Sequence, residues 1–199
     1  MTQFGCDYLS GCHPAILDAL VATNLEQTAG YGLDPYCEAA RARIRAAVGS
    51  EAADVHFLVG GTQTNATVIA SILRPWQGVI AADSGHIAVH ETGAIEAGGH
   101  KVLTLPAADG KLDAAQLRDF MERYWLASGV KEHIVQPGMV YLSQPTELGT
   151  VYSRAELAAL AQTCRQYRLP LFVDGARLGY ALAPEVSDLT LPDLAALCD

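Results

Sequence analysis

An acid and a base stand three residues apart where an apolar run stops: Asp174 and Arg177 in PLFVDGARLGYAL, residues 170–182. Neither charge is expected to be buried without a partner. A carboxylate at the base of a pocket can hold a protonated heteroaromatic nitrogen, and a guanidinium can grip a carboxylate through two parallel hydrogen bonds. The plain alternative is an internal Asp174–Arg177 pair. Three other stretches carry reactive residue types. Gly60-Gly61-Thr62 precedes a helical pattern, where free backbone amides and the helix dipole favour an anion such as phosphate; the same residues also suit a tight turn. DSGHIAVHETGA (83–94) sets His86, His90 and Glu91 close together. His86 and His90 could share a metal, but the H-E-x-x-H pattern is missing and a third ligand would require His100, so no metal is assigned. His86 can equally lay its ring on a flat ligand. SQPTELGTVY (143–152) centres a polar turn on Glu147, which also reads as a simple connection.

These residues need elements that bring them together. Residues 13–24 read as an amphipathic helix with Pro14 in its first turn and Ile16, Leu17, Leu20 and Val21 on one stripe. DVHFLVGG (54–61) reads as a buried strand feeding a helix over 62–74. Further strands are expected over 78–83, 100–106, 138–143 and 169–174, with helices over about 113–125 and 153–168. The last helix opens on Ser153 and Glu156, spaced as a capping box. Strands apolar throughout and separated by helices indicate an α/β fold, a mostly parallel sheet covered on both sides. Ligands in such sheets bind at the carboxyl ends of the strands, where all four stretches lie.

Composition narrows the class. With 199 residues, half of them hydrophobic, the chain suits one substantial core. Its net charge of −9 and scattered basic residues, apart from Arg41, Arg43 and Arg45 on a solvated helical face, argue against nucleic acid. No apolar stretch reaches membrane-spanning length and the start lacks a signal-peptide pattern, so a cytoplasmic location is expected. Cys6, Cys12, Cys37, Cys164 and Cys198 show no disulfide or metal spacing and read as reduced thiols. A phosphate cup, a stacking imidazole, a carboxylate for a ring nitrogen and a guanidinium for a carboxylate together describe pyridoxal 5'-phosphate with an amino-acid substrate.

The chain resembles the low-specificity threonine aldolases of the β-eliminating lyase group. The likeness runs from about residue 4 to residue 199, through FGCDYLSGCHP, GYGLDPYC, FLVGGTQTN, DSGHIAVHETGA, PTELGTVYS and FVDGARLGYAL in family order. It implies the large domain of an aminotransferase-like fold, here one partial domain of residues 1–199 with an N-terminal segment to about residue 50. It also implies retro-aldol cleavage of a threonine-like β-hydroxy-α-amino acid to glycine and an aldehyde, by a homotetramer. Gly60, Gly61 and Thr62 would bind cofactor phosphate, His86 would stack on the ring, Asp174 would pair with its nitrogen, and Arg177 would contact substrate carboxylate. Tyr31 would approach the substrate from a neighbouring subunit. His86, Glu91 and Glu147 are unranked candidates for the catalytic base. β-Elimination of a substituted amino acid and a non-catalytic fragment are the alternatives.

The chain departs from the family pattern at three points. Cys6 stands before Asp7 where many members have serine at the substrate carboxylate, and Glu147 stands where some aldolases have histidine. The family's cofactor lysine follows a G-G-T beyond Asp199, whereas Lys101, Lys111 and Lys131 all have ordinary solvated readings. The 199-residue chain alone is therefore expected to be inactive and to bind the cofactor weakly at best.

Overall fold

Four short apolar runs pair side by side, all parallel, in the order β2-β1-β3-β4. The computed structural model describes residues 6, 8–183, 185 and 187–199. It divides into two compact units, residues 1–41 and 42–199.

In the first unit α1 (Pro14–Thr23) begins with proline inside its first turn, and the His13 ring accepts the Ala15 amide. The expected stripe forms, but α1 buries none of its residues: Ile16, Leu17, Leu20 and Val21 are all exposed. Helix α2 (Pro35–Val48), which runs past the boundary at Arg41, follows Asp34, whose carboxylate accepts the Cys37 amide.

The second unit holds the sheet. Helix α3 (Gly61–Ile72) leads into β1 (Gln77–Ala82), and two single-turn helices, α4 (His86–Val89) and α5 (Ala94–Ala97), carry the chain to β2 (Val102–Leu105). Asp113 caps α6 (Ala114–Phe120), which widens into a π-turn over Met121–Leu126 before β3 (Gln136–Ser143). The capping box expected at Ser153 forms with both of its bonds and starts α7 (Arg154–Tyr167). That helix ends on Arg168 at φ 56°, and Leu169 turns back into the core ahead of β4 (Leu171–Asp174). Helices α8 (Leu178–Ala181) and α9 (Leu191–Leu197) complete the described chain.

Strand alternation sorts the side chains to two faces. Ile80, Val140, Leu142 and Leu171 pack with Leu117 of α6 and Leu157 and Leu160 of α7. Val79, Ala81, Met139 and Tyr141 pack on the other face with Ile69 of α3, Ile87 of α4 and Ile95 of α5, and Phe172 joins them. The sheet is thus covered on both sides, as its unbroken apolar strands require. Gly138 allows the closest approach: a Cβ there would meet Leu73 Cδ2 at 2.5 Å.

One expectation is corrected. Residues 54–60 form no strand; Phe57, Leu58 and Val59 are exposed, Val59 at 95%. Apolar content alone does not make a strand: the sheet among the described residues closes with four members and none of its places is taken by this stretch. Residues 191–197 form α9, which Thr190 and Asp193 start with a second capping box and Pro192 in the first turn. Among the described residues no helix is long and apolar enough to cross a membrane.

Candidate active site

Asp174 is the last residue of β4 and lies two positions beyond Phe172, so its side chain emerges on the face covered by α3. Asn65, on the second turn of α3, meets it there. Asn65 Nδ2 donates to Asp174 Oδ2 at 2.9 Å, the Tyr141 hydroxyl donates to the same oxygen at 2.7 Å, and the Ala176 amide donates to Oδ1 at 3.0 Å. These three donors hold both oxygens of the carboxylate, and Arg177 is not among them. Arg177 sits at the start of α8. Burial, followed by the neighbouring Asp174 charge, pushes the Tyr141 hydroxyl far above its ordinary range, so it stays protonated and able to donate.

The second half of the network comes from the end of β1. Gly85 opens α4, whose first residue is His86; the chain then turns through Thr92 at φ 57° and Gly93 at φ 73°. A β-branched residue in the left-handed region is strained, at a cost of order 1 kcal/mol, and here it follows the acid that turns inward. Glu91 is 5% exposed, and its Oε1 accepts from Asn65 Nδ2 at 2.7 Å and lies 2.8 Å from His86 Nδ1. A carboxylate oxygen only accepts, so Nδ1 carries the hydrogen and Nε2 is left for other work. His90 contributes a tilted ring contact at 5.2 Å.

The structure brings together His86, Glu91 and Asp174, whose ligating atoms lie within 4.8 Å of one another. Such a trio can hold a metal, yet the His86, His90 and His100 grouping weighed from sequence does not form: His100 is buried on the backbone carbonyl of Gln77. The Asn65 amide hydrogens enter between the two carboxylates, an arrangement that repels a cation. Gly60, Gly61 and Thr62 form the start of α3, exposed, with nothing within 4 Å of a Cβ built on either glycine. The first-turn amides of a helix have no carbonyl of their own to bond. Glu147 is half-buried and lines a cleft with Ser84, Gly85, Tyr141 and Ser143. Cys6 and Tyr31 belong to the first unit, Cys6 half-exposed and Tyr31 fully exposed at φ 63°. Asp7 lies outside the described residues.

Asn65 and Tyr141 were missed by motif reading. Asn65 precedes the buried Ile69 by four positions, so helical periodicity places it on the inward stripe; Tyr141 sits within an apolar run and carries no separate signal. Two buried polar atoms lack a partner among the described residues, Ser84 Oγ and Glu91 Oε2. Together with the open glycines and the fixed Asp174 carboxylate, they fit a flat, phosphorylated heteroaromatic ring.

Fold and site define a class: a doubly covered parallel sheet whose strand ends bring a carboxylate beside an acid-backed imidazole, with a glycine-opened helix packed on the same face. The family model of the beta-eliminating lyases matches residues 3–199, and the chain belongs to that family. It is 33% identical over 184 residues to the low specificity L-threonine aldolase of Pseudomonas aeruginosa, an alignment covering 91% of this chain and 51% of that protein. The threonine aldolase of Leishmania major superposes with a TM-score of 0.92 at 47% identity, over 96% of this chain and 55% of that one. An alanine–glyoxylate aminotransferase from Nostoc sp. shares the fold with a TM-score of 0.60 at 21% identity, over 83% of this chain and 41% of its own. The chain therefore spans about half the length of the curated relatives it matches.

Proposed function

We propose that this chain carries the cofactor-binding part of a pyridoxal-phosphate-dependent lyase that cleaves the Cα–Cβ bond of a threonine-like β-hydroxy-α-amino acid. The reading rests chiefly on the Asp174 carboxylate, held by three donors beside the Glu91-backed His86. When bound, pyridoxal phosphate supplies the electron sink for bond cleavage.

The roles open to this chain's own residues follow from their placement. The first-turn amides of α3 and the Thr62 hydroxyl would hold the phosphate, with Gly60 and Gly61 leaving room for its close approach. Asp174 would hold the ring nitrogen in its protonated form through a charge-assisted hydrogen bond, and His86 would hold the ring by stacking. Arg177 takes the substrate carboxylate through two parallel bonds and so orients the bond to be broken. His86 Nε2 accepts the β-hydroxyl proton while Glu91 holds the opposite nitrogen, which makes Glu91 a positioning residue rather than the base. Glu147, at the cleft, is the alternative acceptor. Cys6 and Tyr31 enter as substrate contacts on the family resemblance alone.

Lys101 and Lys131 stand at the amino ends of β2 and β3, the side of the sheet away from His86 and Asp174, and the Lys111 ammonium is 2.6 Å from Glu156. The test is a product assay of the full gene product with pyridoxal phosphate. Glycine and acetaldehyde from L-threonine support the reading. Pyruvate and ammonia from a β-substituted alanine, with no cleavage of threonine, make it a β-eliminating enzyme instead.

A further inference from the structure

We propose that Asn65 is the positioning residue of this site: its one carboxamide nitrogen sets the spacing between Asp174 and the Glu91–His86 pair. The Asp174 part of this inference rests on the cofactor reading above. A side-chain amide nitrogen has two hydrogens, and both are used here, one on Glu91 Oε1 at 2.7 Å and one on Asp174 Oδ2 at 2.9 Å. Asn65 itself is 2% exposed, so water does not compete for either bond. Two carboxylates this close repel each other, and a neutral group donating to both holds them together without cancelling either charge. A lysine or arginine there would neutralise the acids, serine offers one hydrogen, and aspartate offers none.

Placement adds a second consequence. Asn65 lies one turn beyond Gly61 on the same helix, while Glu91 follows β1 and Asp174 ends β4. A single atom therefore ties together the three elements that carry the phosphate cup, the imidazole and the ring-nitrogen partner. A shift of α3 would be felt as a rotation of the Asp174 carboxylate and a loosening of Glu91 from His86 Nδ1.

Two readouts separate positioning from ordinary packing. Equilibrium titration with pyridoxal 5'-phosphate and with its analogue bearing carbon in place of the ring nitrogen measures what Asp174 contributes. Wild type is expected to prefer the natural cofactor by at least about tenfold, the value of one charge-assisted hydrogen bond, and Asn65→Ala is expected to bind both alike. Nitrogen-15 NMR of the ligand-free protein reads His86: the Nδ1–H tautomer in wild type, a mixture in Asn65→Ala. A folded Asn65→Ala that keeps both the preference and the tautomer overturns the proposal. If wild type binds neither compound, the cofactor reading fails and the tautomer comparison alone decides for or against Asn65. Should Asn65→Ala not fold, through-hydrogen-bond couplings in the wild type decide: couplings from Asn65 Nδ2 to both carboxylates support the assignment, and absence of either one overturns it.

Discussion

Two apolar stretches that read alike, DVHFLVGG and LPLFVD, end in candidate site residues, and the structure treats them in opposite ways. LPLFVD becomes β4: Leu171 is 1% exposed, its neighbours pair with β3, and Asp174 leaves the strand into a cage of donors. DVHFLVGG forms no strand, exposes Phe57, Leu58 and Val59, and delivers Gly60 and Gly61 into open surroundings. The proposed site accordingly has a rigid half, whose geometry is inherited from the core, and an open half whose geometry depends on the helix it starts. Apolar composition signals burial only when a neighbouring strand supplies hydrogen bonds and the opposite face supplies packing.

The contrast breaks most visibly in stability. Leu171→Ala is expected to cost about 3 kcal/mol, through lost transfer energy and a cavity between β4 and α7, whereas Val59→Ala should stay within about 0.5 kcal/mol. Denaturant midpoints at constant slope measure both; equal losses would put residues 54–60 in a core. Next in size, Asp174→Asn should weaken pyridoxal phosphate binding about thirtyfold by removing the charged acceptor while keeping the shape. Thr62→Val, in the open half, should weaken it only about fivefold, since one hydroxyl among several amides is lost. Fluorescence titration of both variants sharpens or erases the ranking.

A pH effect follows from the thiols on the rigid side. Burial raises Cys164 to about 12 and Cys198 to about 11, from an ordinary value of 9.0. The unfolded chain loses these protons first, so the stability they contribute is complete below pH 9 and is lost as pH rises towards 11 or 12. Unfolding midpoints should fall over that window, and Cys164→Ala should flatten the slope. Cys12, which is exposed, should alkylate well before Cys164 at pH 8. The smallest expected effect is at the end of α7, where Arg168 holds φ 56°: Arg168→Gly should raise stability by a few tenths to 1 kcal/mol, seen as a small rise in melting temperature.

Legibility in the sequence followed the range of the interactions involved. The Ser153–Glu156 capping box spans three residues and was readable from spacing, as were the parallel strands between amphipathic helices. Asp174 was readable because a charge ending an apolar run needs a partner. Its partners were not, since Asn65 is 109 positions away and Tyr141 is 33. The partners of Glu91 were likewise hidden, since Asn65, which meets it on the same oxygen as His86, is 26 positions away. The strand assigned to residues 54–61 failed for the same reason in reverse, because a partner was assumed that the sheet does not provide.

The central claim is that Asp174 receives the protonated ring nitrogen of pyridoxal phosphate, and the ring nitrogen itself reports on it. With cofactor labelled at that position and bound to the protein, the nitrogen-15 shift should be that of a protonated pyridine hydrogen-bonded to a carboxylate, and it should move to the unprotonated range in Asp174→Ala. An unprotonated nitrogen in the wild-type complex, or a shift indifferent to Asp174→Ala, would contradict the account.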